Sequence, residues 1–246
     1  MRDYLIRLAI KYSGDYFKIE KAIKNNEAIS KNVPLQQAIT VIDNDYPKSL
    51  LMLKKPPFVL FYKGNIELLK NEMVAVIGSR KISEYGCKAT IEVVNLLKDK
   101  YTIVSGLAKG VDSIASMYAK SSIAVIGNGI NVFYPASNAN LYRYMMDKQL
   151  IISEYPKDVL PQKKHFPFRN RIIAALSKSV VVTQAAIRSG TMITVNEALA
   201  LNKDIYCVPY PYDDISGQGC NLLIQQGSNI FLLNNLNDIF DKSSVI

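Results

Sequence analysis

Four short stretches of the 246-residue sequence carry side chains able to do chemistry together. "HFPFRNR" (165–171) holds the only histidine, His165, beside Phe166, Phe168, Arg169, Asn170 and Arg171. "VIGSRKISEYG" places Gly78 and Ser79 ahead of Arg80 and Lys81, and "SGLAKGVD" sets Lys109 among Ser105, Gly106 and Gly110. "QAAIRSGT" puts Arg188 before Ser189, Gly190 and Thr191. Glycines let backbone amides close on an anion, and helix starts favour negative charge. Planar, multi-donor guanidiniums suit phosphate oxygens. One phosphate would need one such loop; a succession of them fits several phosphates in a row, as in a strand of nucleic acid.

Other chemistries fit less well. The Gly78 loop lacks the GxGxxG spacing, and no acid closes a following strand to hold a ribose, so a dinucleotide fingerprint is absent. His165 has no nucleophile or orienting acid marked near it, so no catalytic residue is assigned. Cys87, Cys207 and Cys220 are scattered and form no CxxC pair, which supports neither a disulfide framework nor a zinc site. No metal and no cofactor is expected. Asp112 reads as a cap or dipole partner at a helix start. Pro167 suits the first turn of a helix, which places Arg169 and Arg171 near its positive end. Cations there oppose the dipole, so something else must use them. Phe166 and Phe168 either offer stacking faces to bases or anchor the helix. Each loop also has a plainer reading: a tight turn with solvated basic side chains at Gly78, a cap by Ser189 or Thr191, and turn glycines at Gly127 and Gly129.

These loops need a scaffold that brings them to one place. Six short apolar runs supply it: "MVAVIG" (73–78), "YTIVSG" (101–106), "SIAVIG" (122–127), "LIISE" (150–154), "SVVVTQ" (179–184) and "DIYCVP" (204–209). They are almost free of interior polar residues, as strands covered on both faces are. Helical patterns lie between them, with Ile91, Val94 and Leu97 on one face, then Ile114, Met117 and Tyr118, then Ile193, Ala198 and Leu201. The alternation predicts an α/β fold of Rossmann-like type: a doubly wound, mostly parallel sheet with helices on both faces. Ligands then bind at the carboxyl ends of the strands, where all the loops above emerge. Residues 1–40 read as a short helical N-terminal segment and 41–246 as the main domain. Within "YPKSLLMLKKPPFVLFYKGN" (46–65), "FVLFYKG" reads as an edge strand.

Composition agrees with an anionic partner. Lys and Arg number 30 against 21 Asp and Glu, a formal charge of +9. Unpaired cysteines, the absence of a signal-peptide pattern and the absence of a long apolar run point to a cytoplasmic protein without membrane association.

Taken in order, "VAVIGSRKISEYG", "VSGLAKGVD", "AVIGNGINVFYP", "HFPFRNRIIAALS", "AAIRSGTMITVNEALALNKDIYCVP" and "GCNLLIQQG" resemble the DNA-processing protein A family, also called DprA or Smf. The resemblance covers about residues 40–232. It implies a non-enzymatic protein that binds single-stranded DNA in natural transformation, protects incoming strands, helps load the recombinase RecA and works as a homodimer. Carried over by motif, the DNA contacts are Gly78, Ser79, Arg80, Lys109, Arg169, Asn170 and Arg171; Arg188 joins them from the loop reading. Arg80, Lys109, Arg169 and Arg171 are expected to line one positive pocket completed by loop amides. Two positions depart from the family's pattern: Gln184 where an acid is usual, and Tyr210 where glycine often follows "VP". The C-terminal winged-helix domain that many relatives carry is expected to be missing. "CNLLIQQGSNIFLLNN" (220–235) reads as either a dimer interface or core. A competing reading is a nucleotide-binding, phosphoribohydrolase-like enzyme, with Arg188, Ser189–Thr191 and Glu197 in the glycine-rich site.

Overall fold

Six apolar runs become strands because alternate residues of each find a dry face on opposite sides of one sheet. The structure, a computed structural model, describes residues 1–232. Numbered along the chain, the strands are β1 (Ala38–Thr40), β2 (Val59–Gly64), β3 (Met73–Gly78), β4 (Thr102–Ser105), β5 (Ser122–Ile126), β6 (Leu150–Ser153), β7 (Ser179–Gln184), β8 (Asp204–Cys207) and β9 (Asn229–Ile230). Their order across the sheet is β1-β2-β6-β5-β4-β3-β7-β8-β9. All pairings from β6 to β9 are parallel; β2 runs antiparallel to both β1 and β6. The expected α/β, doubly wound, mostly parallel sheet is what the chain forms.

Helices cover both faces: α1 (Arg2–Lys11), α2 (Tyr16–Lys24), α3 (Glu84–Leu97), α4 (Val111–Tyr118), α5 (Ala139–Lys148), α6 (His165–Leu176), α7 (Thr191–Ala200) and α8 (Gln218–Gln225). The period-2 alternation shows which residue faces which side. Val59, Phe61, Ala124, Ile126 and Ile151 pack with Leu5, Leu8 and Tyr142 from α1 and α5. Their neighbours Leu60, Ile123, Val125 and Ile152 belong to the larger core that also takes Ile172 and Ile173 of α6.

Two expectations are corrected. "FVLFYKG" is not an edge strand: the short β1 pairs with its outer side, Ile39 opposite Leu60. Met117 and Tyr118 face outward, 59% and 45% exposed, while α4 buries the small face of Val111, Ala115 and Ser116. Small residues let α4 sit close to the sheet, which leaves its bulky side chains outside. The segment 220–235 contributes Cys220 and Leu223 to the core, and its last residues, 233–235, lie outside the described part.

The sheet order has one consequence for binding. From β3 the chain steps through β4, β5 and β6 in one direction, then returns to place β7 on the other side of β3. The loops leaving β3 and β7 therefore diverge, and a crevice opens between them at the carboxyl ends.

Candidate nucleic-acid interface

A cleft of ≈ 890 Å³ occupies that crevice. Gly78, Ser79 and Arg80 line it from the β3 loop, Gln184, Ser189 and Gly190 from the β7 loop, and Lys163, Phe166, Arg169 and Asn170 from the start of α6. A lobe of ≈ 510 Å³, sharing Arg80, Phe166 and Arg169, continues towards Lys109 and Tyr134. Together the walls hold Arg80, Lys81, Lys109, Lys163 and Arg169 against a single acid, Asp112.

Packing sets the positions of these groups. At Gly78 a Cβ would stand 2.6 Å from Val111 Cγ2 and 2.7 Å from the Gln184 carbonyl oxygen, so only glycine lets β3 leave the sheet there. The Ser79 N–H donates to that same Gln184 oxygen at 2.8 Å, and its hydroxyl donates to the Lys81 carbonyl at 2.7 Å. Both Ser79 donors are thus spent holding the loop, contrary to the expectation of free amides at this turn. Gln184, buried at the end of β7, accepts from the Ser83 N–H at 3.0 Å through its side-chain oxygen, locking the start of α3. The starts of α6 and α7 differ. Neither has a side-chain cap, but backbone carbonyls serve their first turns: the His165 N–H donates to Gln162 at 2.9 Å, and those of Met192 and Ile193 donate to Ser189 and Gly190 at 3.2 Å, so the cleft relies on side-chain cations rather than on helix-start amides.

Arg169 lies deep in the wall, 4% exposed. It donates to the carbonyl oxygens of Gly106 and Val125, while its Nε–H is buried with no partner among the described residues. A Cβ on Gly106 would come within 2.6 Å of both the Arg169 guanidinium and Asp112 Oδ2, so glycine keeps the space that separates the two side chains open. Burial pushes the Asp112 carboxyl up, and the Arg169 charge opposes it. Asp112 lies in the first turn of α4, the dipole-partner position of the two expected, while Gly110 takes the cap position; its carboxylate accepts from the Ala108 N–H at 3.3 Å and holds the loop after β4.

Phe166 and Phe168 leave α6 on different sides. Phe166 stacks on Tyr134 with centroids 5.4 Å apart, and the Arg80 guanidinium lies 5.6 Å from its centroid. Phe168 faces Tyr16 at 6.0 Å and lies under the Arg171 guanidinium at 3.7 Å. Arg171 does not reach the cleft. Its guanidinium forms a bidentate pair with Glu154 at 2.6 and 2.7 Å, both side chains about 5% exposed, and Nε donates to the Lys55 carbonyl at 3.1 Å. The expected four-cation pocket is therefore built by Arg80, Lys109 and Arg169, with Lys163 in the place given to Arg171. Arg188 is exposed in the loop before α7 and, like Glu197, is not among the residues lining the cleft, although Ser189, Gly190 and Thr191 are. His165 is buried, stacks on Tyr155 at 4.0 Å and shares a 3.1 Å hydrogen bond through Nδ1 with the Gly127 carbonyl. Burial pulls its pKa below the usual imidazole value.

Lys163 stands in no motif that would single it out. Its one signal is position, two residues before the helix that carries Phe166 and Arg169. Among the described residues no cluster of His, Cys, Asp or Glu could hold a metal ion, and no helix is long and apolar enough to cross a membrane.

Comparison with known proteins places this cleft in context. The family model described as DNA recombination-mediator protein A matches residues 37–244. The DNA processing protein DprA of Streptococcus pneumoniae is 41% identical over 219 residues, 87% of this chain and 76% of that protein. Protein Smf of Synechocystis is 36% identical over 208 residues, 81% of this chain and 52% of its own length. The X-ray structure of the pneumococcal protein superposes with a TM-score of 0.77, covering 88% of this chain and 76% of that one. DNA processing protein A of Helicobacter pylori, whose structure was described for its single-stranded DNA binding mode, gives 0.75 at 33% identity. That match covers 82% of this chain and 95% of the other.

Proposed function

Since the chain belongs to the DNA recombination-mediator protein A family, we propose that it binds single-stranded DNA along the cleft between the β3 and β7 loops. The observation that carries this reading is the composition of the walls: five cations against one acid, Asp112. Phosphates supply the affinity, so recognition is largely independent of sequence. The Phe166–Tyr134 pair beside Arg80 offers an aromatic surface next to the phosphate path, as single-strand sites use. The structural relative from Helicobacter pylori, described as a single-stranded DNA binder, supports the same reading.

In the cell the protein would act in the cytoplasm as a homodimer, protecting incoming strands during natural transformation and helping to load RecA. A dimer would join two clefts and let a strand bind both with avidity. The role is binding rather than turnover. His165 is not among the residues lining the cleft; it is stacked on Tyr155 and bonded to a main-chain carbonyl, while Asp112, the one carboxylate on the walls, accepts from the Ala108 N–H. The phosphoribohydrolase-like alternative is disfavoured because Arg188 and Glu197 stand off the cleft wall.

Fluorescence anisotropy with a labelled oligonucleotide tests the proposal. Arg80→Glu and Lys109→Glu, both at exposed positions, are expected to weaken single-strand binding by about tenfold each or more, corresponding to about 1.4 kcal/mol. Unchanged affinity in both folded variants would sink it.

A further inference from the structure

The first turn of α6 has a second side. Lys163, Phe166 and Asn170 face the cleft described above, whereas Lys164, His165 and Phe168 line a separate cavity of ≈ 380 Å³ under the N-terminal helices. Its far wall is the α1–α2 turn, where Ser13 and Gly14 adopt left-handed backbone (φ 52° and 76°) and bring Tyr12 and Lys18 to the opening. Rings pave it. Tyr155 stacks on His165, and Phe168 sits 6.4 Å from Phe17, which is 57% exposed. Lys55 Nζ lies 4.4 Å from the Phe17 centroid, adding another cation at the rim. Among the described residues lining the cavity Asp15 is the single acid, and one of its carboxylate oxygens accepts from the Lys18 N–H at the start of α2.

We infer that this cavity is a second nucleotide-binding subsite, taking the continuation of a single strand whose preceding nucleotides occupy the main cleft. Two observations carry it. The consecutive lysines Lys163 and Lys164 border the two cavities, so a backbone crossing the α6 start meets a cation on either side. The cavity also combines aromatic faces with Lys18 and Lys164 at the opening, the pairing of stacking surface and phosphate partner that single-strand sites use. A duplex does not fit the arrangement, because its bases are already stacked on each other. The inference rests on the single-strand reading of the main cleft and extends it to residues contributed by the N-terminal helices.

The test compares labelled oligothymidylates of about 6 and about 20 nucleotides, using the full chain and the variants Lys18→Glu, Lys164→Glu and Phe17→Ala. The wild type is expected to bind the longer strand more tightly. Each variant should lose about tenfold on the longer strand while keeping wild-type affinity for the shorter one, which also reports that the main cleft is folded. Variants that match the wild type on the longer strand overturn the inference, since the length gain then comes from elsewhere. Equal losses on both lengths overturn it too, by placing these residues in the first site. If the wild type binds neither oligonucleotide, the single-strand reading itself falls and takes this extension with it.

Discussion

Arginines two positions apart in one motif do opposite jobs. Successive residues turn by about 100° around a helix, so Arg169 and Arg171 point about 200° apart; one enters the cleft wall and the other the buried pair with Glu154. That divergence was readable once "HFPFRNR" was taken as helical, but the identity of the partner was not, because Glu154 lies on a separate segment. Removing one member of a buried pair strands the other's charge, so Arg171→Met is expected to lower unfolding stability by about 3–5 kcal/mol, measured by denaturant titration. His165 makes a pH prediction. Its folded pKa lies below the ordinary 6.5, so the neutral form is favoured by folding. Its contribution is complete above about pH 6.5 and is lost as pH falls through the depressed folded value. Melting at about pH 7 and about pH 5 should show an acid-side loss in the wild type that His165→Gln lacks.

At the level of elements, the six core strands were legible because burial on both faces leaves an uninterrupted apolar run. β1 was not, since three residues carry too little pattern, and the edge assignment of β2 failed with it. The direction of the α4 face was misread for a related reason: large apolar residues mark a buried face only where space allows them in. The loop after β8 shows how a sequence departure is absorbed. Tyr210 buries its ring, donates its hydroxyl to the Thr183 carbonyl at 2.8 Å and meets Tyr85 edge-on at 4.8 Å. A Cβ on Gly217 would fall 1.8 Å from that ring. Gly217→Ala should therefore destabilise the fold by about 1–3 kcal/mol through overpacking. Tyr210→Ala in the same chain should recover part of that loss, a non-additivity that a double-mutant cycle of unfolding energies measures.

For the whole molecule, the sheet order determines where binding happens. Return of the chain to β7 beside β3 opens one crevice, and loops far apart in sequence deliver their cations to it. Sequence alone brought these loops to one rim but could not rank them, which is why Arg188 was included and Lys163 missed. The central claim is that this crevice carries a row of phosphates, and the salt dependence of single-strand affinity tests it most directly. If four of the five lining cations meet phosphates, log K against log salt should fall with a slope of about −3, from about −0.7 per contact, and Arg80→Glu should flatten it by about 0.7 or more. A slope near zero, or one that Arg80→Glu leaves unchanged, would contradict the account and show that the cations of the cleft do not bind a strand.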